Sequence, residues 1–176
     1  MMQRNLEKNQ YKQPFWRKHE FAEVIKFKTM STLKNAIIID APVEKIWESL
    51  AITDKLDSYD PTVKKSTATS EIKSGIGASR KVDMLDGKNW FEEKCTIYEP
   101  NKALEYTLTA CSFPVHNLKH DYSFEQLGDK IKVTQKMNIQ MKYGPLGKLM
   151  FIMLKPKWNA GNKTFLGGLK SASENN

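Results

Sequence analysis

Residues 145–169 read PLGKLMFIMLKPKWNAGNKTFLGGL. At about 100° per residue, the apolar side chains of this stretch fall on one side of a helix and most of its lysines fall on the other. The apolar side consists of Leu146, Met150, Met153, Leu154, Trp158, Gly161, Phe165 and Leu169. A face of this size must be buried, so the stretch predicts a long helix that packs against a large partner.

The residues before this helix supply that partner. Period-two alternation predicts four successive strands, over residues 90–98, 103–111, 117–124 and 131–141. Further upstream we predict a strand over 33–39, short helices over 41–50 and 53–59, and strands over 63–69 and 78–84. Asp86-Gly87 is a hairpin turn signal. The fold class is therefore α+β, with a terminal helix across a curved antiparallel sheet, an arrangement that tends to enclose a ligand-binding hollow.

Length and composition indicate one domain. The chain has 176 residues and 40% hydrophobic content, enough for one core and short for two. The two cysteines predict no disulfide, because a turn at residues 99–102 would place Cys95 opposite Tyr106 and about 16 Å from Cys111. No apolar run approaches the roughly 20 residues of a membrane span, and the amino terminus lacks the apolar core of a secretion signal. We expect a soluble, cytoplasmic protein.

The formal charge of +8 is concentrated at the two ends of the chain. Residues 1–31 hold seven basic and three acidic side chains, residues 144–176 hold five and one, and the middle holds sixteen of each. Solvated surface lysines explain this pattern. The alternative is attraction to an anionic ligand or an anionic membrane surface, to which the protein would be peripheral. Nucleic acid is not expected as a partner, because no basic patch is interleaved with aromatic residues.

Residues 1–31 are predicted to form a basic N-terminal extension. Two interpretations of residues 1–29 stay open. Either Met30 is the native start and an upstream extension precedes it, or the segment is an amphipathic leader. In the second case one helical side would carry Phe15, Trp16, Phe21, Val24 and Ile25.

Five short segments identify a family resemblance. They are IDAPVEKIW at 39–47, GIGASR at 75–80, EKC at 93–95 running into YEPN at 98–101, GPLG at 144–147, and LGGLK at 166–170. Together they resemble the START-like superfamily (SRPBCC, Bet v 1-like), in particular its polyketide cyclase/dehydrase and lipid-transport branch. The resemblance covers about residues 32–172 and leaves 173–176 as a tail.

The resemblance implies a helix-grip fold, in which a seven-stranded antiparallel sheet wraps around a long C-terminal helix and two short helices follow the first strand. It also implies that the enclosed cavity binds apolar or amphipathic small molecules. Because only some members are enzymes, the resemblance assigns no catalytic residue. We expect no cofactor and no metal, since His116 and His120 would stand about 13 Å apart along a strand, too far to bind one zinc ion.

Alternation along the strands predicts which side chains line the hollow. Keeping the apolar faces together aligns two rows across the sheet. One row holds Glu93, Leu108, His120 and Met137, and the other holds Cys95, Tyr106, Tyr122 and Gln135. The backbones of Glu93 and His120 are then about 10 Å apart, so that their side chains could share a ligand. The predicted ligand-binding residues are Glu93, Tyr106, Leu108, His120, Tyr122, Gln135, Met137, Met150, Lys157 and Trp158.

Several of these residues have a purely structural alternative. Glu93 could be a core carboxylate held by a backbone group or an arginine, and His120 could be a hydrogen-bonded core histidine. The tyrosines could be packing residues whose hydroxyls find partners. Lys157 falls inside the apolar arc, where an unpaired ammonium is costly. It must be paired, hydrated or swung outward, and a kink at Pro156 makes the outward position plausible.

Three functions are compatible with such a hollow. The first is binding or carriage of a hydrophobic molecule with one polar end. The second is a cyclase or dehydratase type of enzyme, in which His120 or Glu93 transfers a proton and burial raises the pKa of the glutamate. The third is a membrane-associated lipid or quinone chaperone that docks through its basic ends.

Overall fold

The computed structural model describes residues 30–175 and contains two helices and seven strands within them. In chain order they are β1 Ser31–Ile39, α1 Val43–Ala51, a 3₁₀ turn Leu56–Ser58, β2 Val63–Ala68, β3 Ser79–Met84, β4 Trp90–Glu99, β5 Ala103–Cys111, β6 Val115–Leu127, β7 Lys130–Met141 and α2 Gly144–Glu174. The predicted order is confirmed. The predicted second short helix is a single 3₁₀ turn, and the Thr53 amide before it donates to the Lys73 carbonyl at 2.9 Å.

The seven strands form one antiparallel sheet in the order β1-β7-β6-β5-β4-β3-β2. The seven-stranded helix-grip architecture is therefore confirmed. Cys95 pairs with Tyr106 across the β4–β5 turn, as that turn predicts. Asp86 accepts hydrogen bonds from the amides of Lys88 and Asn89 in the β3–β4 hairpin. These tight turns set the register in this half of the sheet.

The register between β5 and β6 differs from the prediction by two residues. Tyr106 pairs with His120, and Leu104 pairs with Tyr122. The predicted pairs Leu108–His120 and Tyr106–Tyr122 are therefore wrong, whereas His120–Met137 and Tyr122–Gln135 are confirmed. The cause is the connection, because β6 begins at Val115, two residues before the predicted start. A shift of two residues keeps every side chain on its predicted face.

The two strands also separate towards one end. Their pairing runs from Ala103↔Ser123 to Thr107↔Lys119. Beyond it, the last residues of β5 pair with β4, and the first residues of β6 pair with β7. A five-pair ladder therefore joins the two halves of the sheet.

Helix α2 covers the sheet with two different contacts. Its second half buries Phe165, Leu166 and Leu169 in the main core, together with α1 and the centre of the sheet. Its first half buries Phe151 in a second cluster with Leu33, Val115, Met137 and Ile139.

The buried side of the first half of α2 agrees only in part with the predicted one, because Met150, Leu154 and Trp158 are half-buried. Leu146 and Met153 are 59% and 74% exposed, whereas Gly147 and Phe151 are buried. A side chain at position 147 would overlap the Lys142 carbonyl. Gly147 therefore faces the chain that leads into the helix, and the buried side is displaced from the predicted one by about 50°, half the angle between neighbouring residues.

The predictions for residues 1–29 lie outside the described residues. Helix α2 continues to Glu174, within the predicted tail. In the part of the chain from residue 30 to residue 175, no helix is both long enough and apolar enough to span a bilayer.

Candidate functional site

A buried ion pair lies on the inner face of the sheet. Arg80 on β3 stands directly opposite Glu93 on β4. Its Nε donates to Glu93 Oε1 at 2.7 Å, and its Nη2 lies 2.6 Å from the same oxygen. Arg80 and Glu93 are only 2% and 1% exposed. The structure therefore places Glu93 as predicted on the inner face, held by an arginine.

His120 completes this group from β6. Its Nδ1 lies 3.1 Å from Glu93 Oε2. Because an ionised carboxylate can only accept, Nδ1 carries the hydrogen, and Nε2 is an acceptor in the neutral ring. The side chains of Glu93 and His120 thus meet directly, although β5 separates their strands.

The charge of Glu93 is maintained by its neighbours. Burial alone would raise the pKa of Glu93, but the charge of Arg80 and the hydrogen bond from His120 outweigh it and lower the pKa to about 2. The expectation that burial raises this pKa is therefore wrong. A carboxylate that stays ionised orients His120 and does not itself exchange protons near neutral pH.

Tyrosines and a glutamine surround the ion pair. The guanidinium of Arg80 lies 4.4 Å from the centre of the Tyr106 ring. The Tyr106 hydroxyl donates to the carbonyls of Leu50 and Ala51 at 3.3 and 3.2 Å, which ties the group to the end of α1. Gln135 Nε2 donates to the Tyr122 hydroxyl at 3.2 Å. The structure thus brings together Glu93, Tyr106, His120, Tyr122 and Gln135 on one buried surface.

Four polar atoms of this surface have no hydrogen-bond partner among residues 30–175. They are Tyr59 Oη, Arg80 Nη1, His120 Nε2 and Gln135 Oε1. Tyr59 joins the group through Phe165, whose ring lies 5.8 Å from that of Tyr59 and 5.9 Å from that of Tyr122. A buried polar atom without a partner costs about 1–3 kcal/mol. We refer to Tyr59, Arg80, Glu93, His120 and Gln135 as the polar cluster.

The other predicted site residues lie nearer the first half of α2. Leu108, Met137 and Trp158 belong to the second hydrophobic cluster. Met150 is half-buried on α2. Lys157 is exposed, which is the outward position given as its alternative. Because the buried side of α2 is displaced from the predicted one, the Lys157 side chain faces away from the sheet.

A surface cleft of about 350 Å³ opens near the β3–β4 turn. Its walls are Lys64, Lys65, Asp83, Met84, Gly87, Lys88, Asn89 and Trp90. None of the predicted ligand-binding residues lines it. The predicted interior site is separate from this cleft and stays a prediction.

Sequence reasoning missed Arg80 and Tyr59. Arg80 had a usable signal, because a hairpin centred on Asp86-Gly87 pairs it with Glu93 and alternation turns both inward. Tyr59 had none. Its ring is positioned by the packing of the 3₁₀ turn against α2, and no local pattern encodes that contact.

The ion pair predicts loss of stability in acid. A folded-state pKa of about 2, below the ordinary 4.5, gives a stabilising contribution that is present above pH 4.5 and is lost as the pH falls towards 2. We expect the unfolding free energy, measured by urea titration across this window, to fall more steeply for the native protein than for Glu93→Gln. The same dependence of unfolding free energy on pH in both proteins would contradict the assignment of this contribution to the Arg80–Glu93 ion pair. Because the comparison is between two proteins, it cancels the contributions of other carboxylates.

The fold is that of a Bet v 1-like helix-grip protein of the α+β class. The chain belongs to the family described as polyketide cyclase / dehydrase and lipid transport, whose model matches residues 30–174. None of the curated proteins matches it.

Solved structures share the fold at low sequence identity. Ara h 8.0201 superposes with a TM-score of 0.62 at 18% identity, covering 81% of this chain and 99% of its own. TTHA0849 from Thermus thermophilus gives 0.67 at 13% identity, with 81% and 97% covered. XoxI from Bacillus cereus gives 0.66 at 14% identity, with 82% and 96% covered. At these identities the likeness extends to the fold alone.

Proposed function

We propose that the protein binds and carries an amphipathic small molecule between the sheet and α2, with the polar end of that molecule at the polar cluster. The observation that carries the proposal is the set of four buried polar atoms without a partner in the described chain. A ligand that bonds to them would recover the free energy that their burial costs. The half-buried apolar residues Leu108, Leu118 and Trp158 would contact its hydrocarbon part.

The chemistry of the four atoms selects the polar end of the ligand. Arg80 Nη1 donates, Gln135 Oε1 accepts, and His120 Nε2 accepts in the neutral ring. A hydroxyl can both accept and donate, so it matches this set. A carboxylate cannot donate, and it would bring a second negative charge next to Glu93, whose own charge already uses Arg80. We therefore propose an uncharged, hydroxyl-bearing ligand.

The test compares 1-dodecanol with dodecanoate, which share a hydrocarbon chain and differ in the polar end. Native mass spectrometry of the full chain should show a complex with the alcohol at concentrations where the carboxylate gives none. Tighter binding of dodecanoate would contradict the proposed polar end. If neither compound formed a complex, and if the protein were repeatedly purified without any bound molecule, ligand binding itself would be contradicted.

Tyr59→Phe provides a sharper variant. It removes a hydroxyl that has no partner in the described chain, so we expect unchanged or higher stability but alcohol binding about 2- to 10-fold weaker. Tyr106→Phe is the matched control, because its hydroxyl already bonds to Leu50 and Ala51. It should lower the unfolding free energy by about 1 kcal/mol and leave binding unchanged. The reverse pattern would contradict the assignment of Tyr59.

The second candidate is an enzyme in which His120 transfers a proton. The favouring observation is that Glu93 holds Nδ1 and leaves Nε2 on the inner surface, the orientation that a general base requires. Such an enzyme of the cyclase or dehydratase type would lose turnover in His120→Asn while retaining its fold. Normal turnover in that variant, once a substrate is known, would exclude this role.

A further inference from the structure

The first half of α2 exposes a row of large apolar side chains. Leu146, Leu149, Ile152 and Met153 are 59%, 55%, 66% and 74% exposed. They span about 120° of the helix circumference. We call these four residues the outer stripe. Tyr143, just before the helix, is 67% exposed and adds an aromatic side chain.

The same helical segment is also apolar on its inner side. Phe151 is buried, and Leu154 and Trp158 are half-buried. On the helical wheel these side chains lie opposite the outer stripe. A helix that is apolar on two opposite sides is typical of a segment covered on both, and here the sheet covers only one.

Lysines border the outer stripe on both flanks. Lys148 and Lys155 lie on one side of it and Lys157 lies on the other, and all three are exposed. Residues 142–173 contain six lysines and no aspartate or glutamate. An apolar strip edged with lysines fits a surface that is apolar inside and negatively charged outside, which describes a bilayer of anionic lipids.

The charges disfavour two other occupants of the outer stripe, which are residues 1–29 of this chain and a second copy of the protein. Residues 1–29 carry seven basic and three acidic side chains, so that as occupants of the outer stripe they would place like charges against the lysine flanks. A second copy packed through the same face would do the same. An anionic surface instead attracts the lysines on both flanks of the stripe.

We propose that the outer stripe docks the protein on anionic lipid bilayers, with the apolar side chains in the interfacial layer and the lysines at the lipid phosphates. This goes beyond ligand binding in the interior and does not depend on it. The stripe is too short and too flanked by charge to span the membrane, and it lies on its surface.

The test is cosedimentation of the full chain with vesicles. We expect binding to vesicles of equal parts phosphatidylcholine and phosphatidylserine, and little to pure phosphatidylcholine. Ile152→Glu/Met153→Glu should weaken this binding at least about tenfold. The matched control is Ile72→Glu/Ile76→Glu, which adds the same charge at positions 50% and 61% exposed, between β2 and β3. The control should bind like the native protein.

Three results would overturn the proposal. The first is no vesicle binding by the native protein. The second is equal loss in both double variants, which would assign the binding to net charge alone. The third is a dimer in analytical ultracentrifugation that the stripe variant dissociates, which would make the stripe a contact between copies. Tyr59→Phe should retain vesicle binding, so that this proposal and the proposed function fail separately.

Discussion

The Arg80→Met variant is expected to lose about 3–5 kcal/mol of unfolding free energy at neutral pH. The substitution leaves the carboxylate of Glu93, 1% exposed, without its cationic partner. His120 alone supplies one hydrogen bond, which does not offset the desolvation of a buried charge. Urea unfolding measures the loss directly. Lys81→Met is the control, because the Lys81 side chain is 43% exposed and its ammonium lies 3.8 Å from the Asp83 carboxylate, so that its loss should cost less than about 1 kcal/mol.

The pH dependence of this variant separates a missing charge from a packing defect. The charge of Arg80 is the largest influence that lowers the pKa of Glu93, so we expect burial to raise this pKa in the variant. A carboxyl group with a raised pKa stabilises the fold at pH values below its ordinary pKa, and this contribution is lost as the pH rises. The loss of unfolding free energy in the variant, relative to the native protein, should therefore be smaller in acid. The double variant Arg80→Met/Glu93→Leu should recover most of the stability at neutral pH. A deficit that is independent of pH and persists in the double variant would contradict the ion-pair explanation.

The Gly168→Ala variant is expected to lose about 3 kcal/mol, although alanine ordinarily favours a helix over glycine by about 1 kcal/mol. A Cβ at this position would overlap the Tyr59 carbonyl oxygen and lie 3.2 Å from Pro61 Cδ. Helix α2 would have to move away from the 3₁₀ turn that positions the Tyr59 ring.

The neighbouring glycine provides a control of opposite sign. Nothing lies within 4 Å of a Cβ built at Gly167, so Gly167→Ala should gain up to about 1 kcal/mol. Both values come from urea unfolding of the full chain. Equal stabilities of the two variants would contradict the close approach of α2 to Tyr59.

Much of the fold was predictable because its turns are short and carry distinct residues. Asp86-Gly87 and the turn at 99–102 fix the pairing of β3, β4 and β5, and with it the positions of Glu93 and Tyr106. The β5–β6 connection, Ser112 to Pro114, contains no such signal, which explains the two-residue error there. Alternation still placed His120 and Gln135 on the correct face, because a register shift of two residues leaves each side chain on the same face of its strand.

The errors along α2 have a tertiary origin. A helical wheel identifies an apolar side, but α2 has two of them in its first half, and the sequence does not say which one meets the sheet. In the structure the side that carries Phe151 packs against the sheet residues Leu33, Val115, Met137 and Ile139. The outer stripe and Lys157 lie outside that side and are exposed.

The short ladder between β5 and β6 divides the sheet into two parts. The first part is β2-β3-β4-β5 and the second is β6-β7-β1. Arg80 and Glu93 lie on the first part, and His120 and Gln135 lie on the second. Any relative movement of the two parts of the sheet about the β5–β6 ladder therefore changes the distances between hydrogen-bond donors and acceptors on opposite sides of it. A ligand bonded to residues of both parts would hold them together.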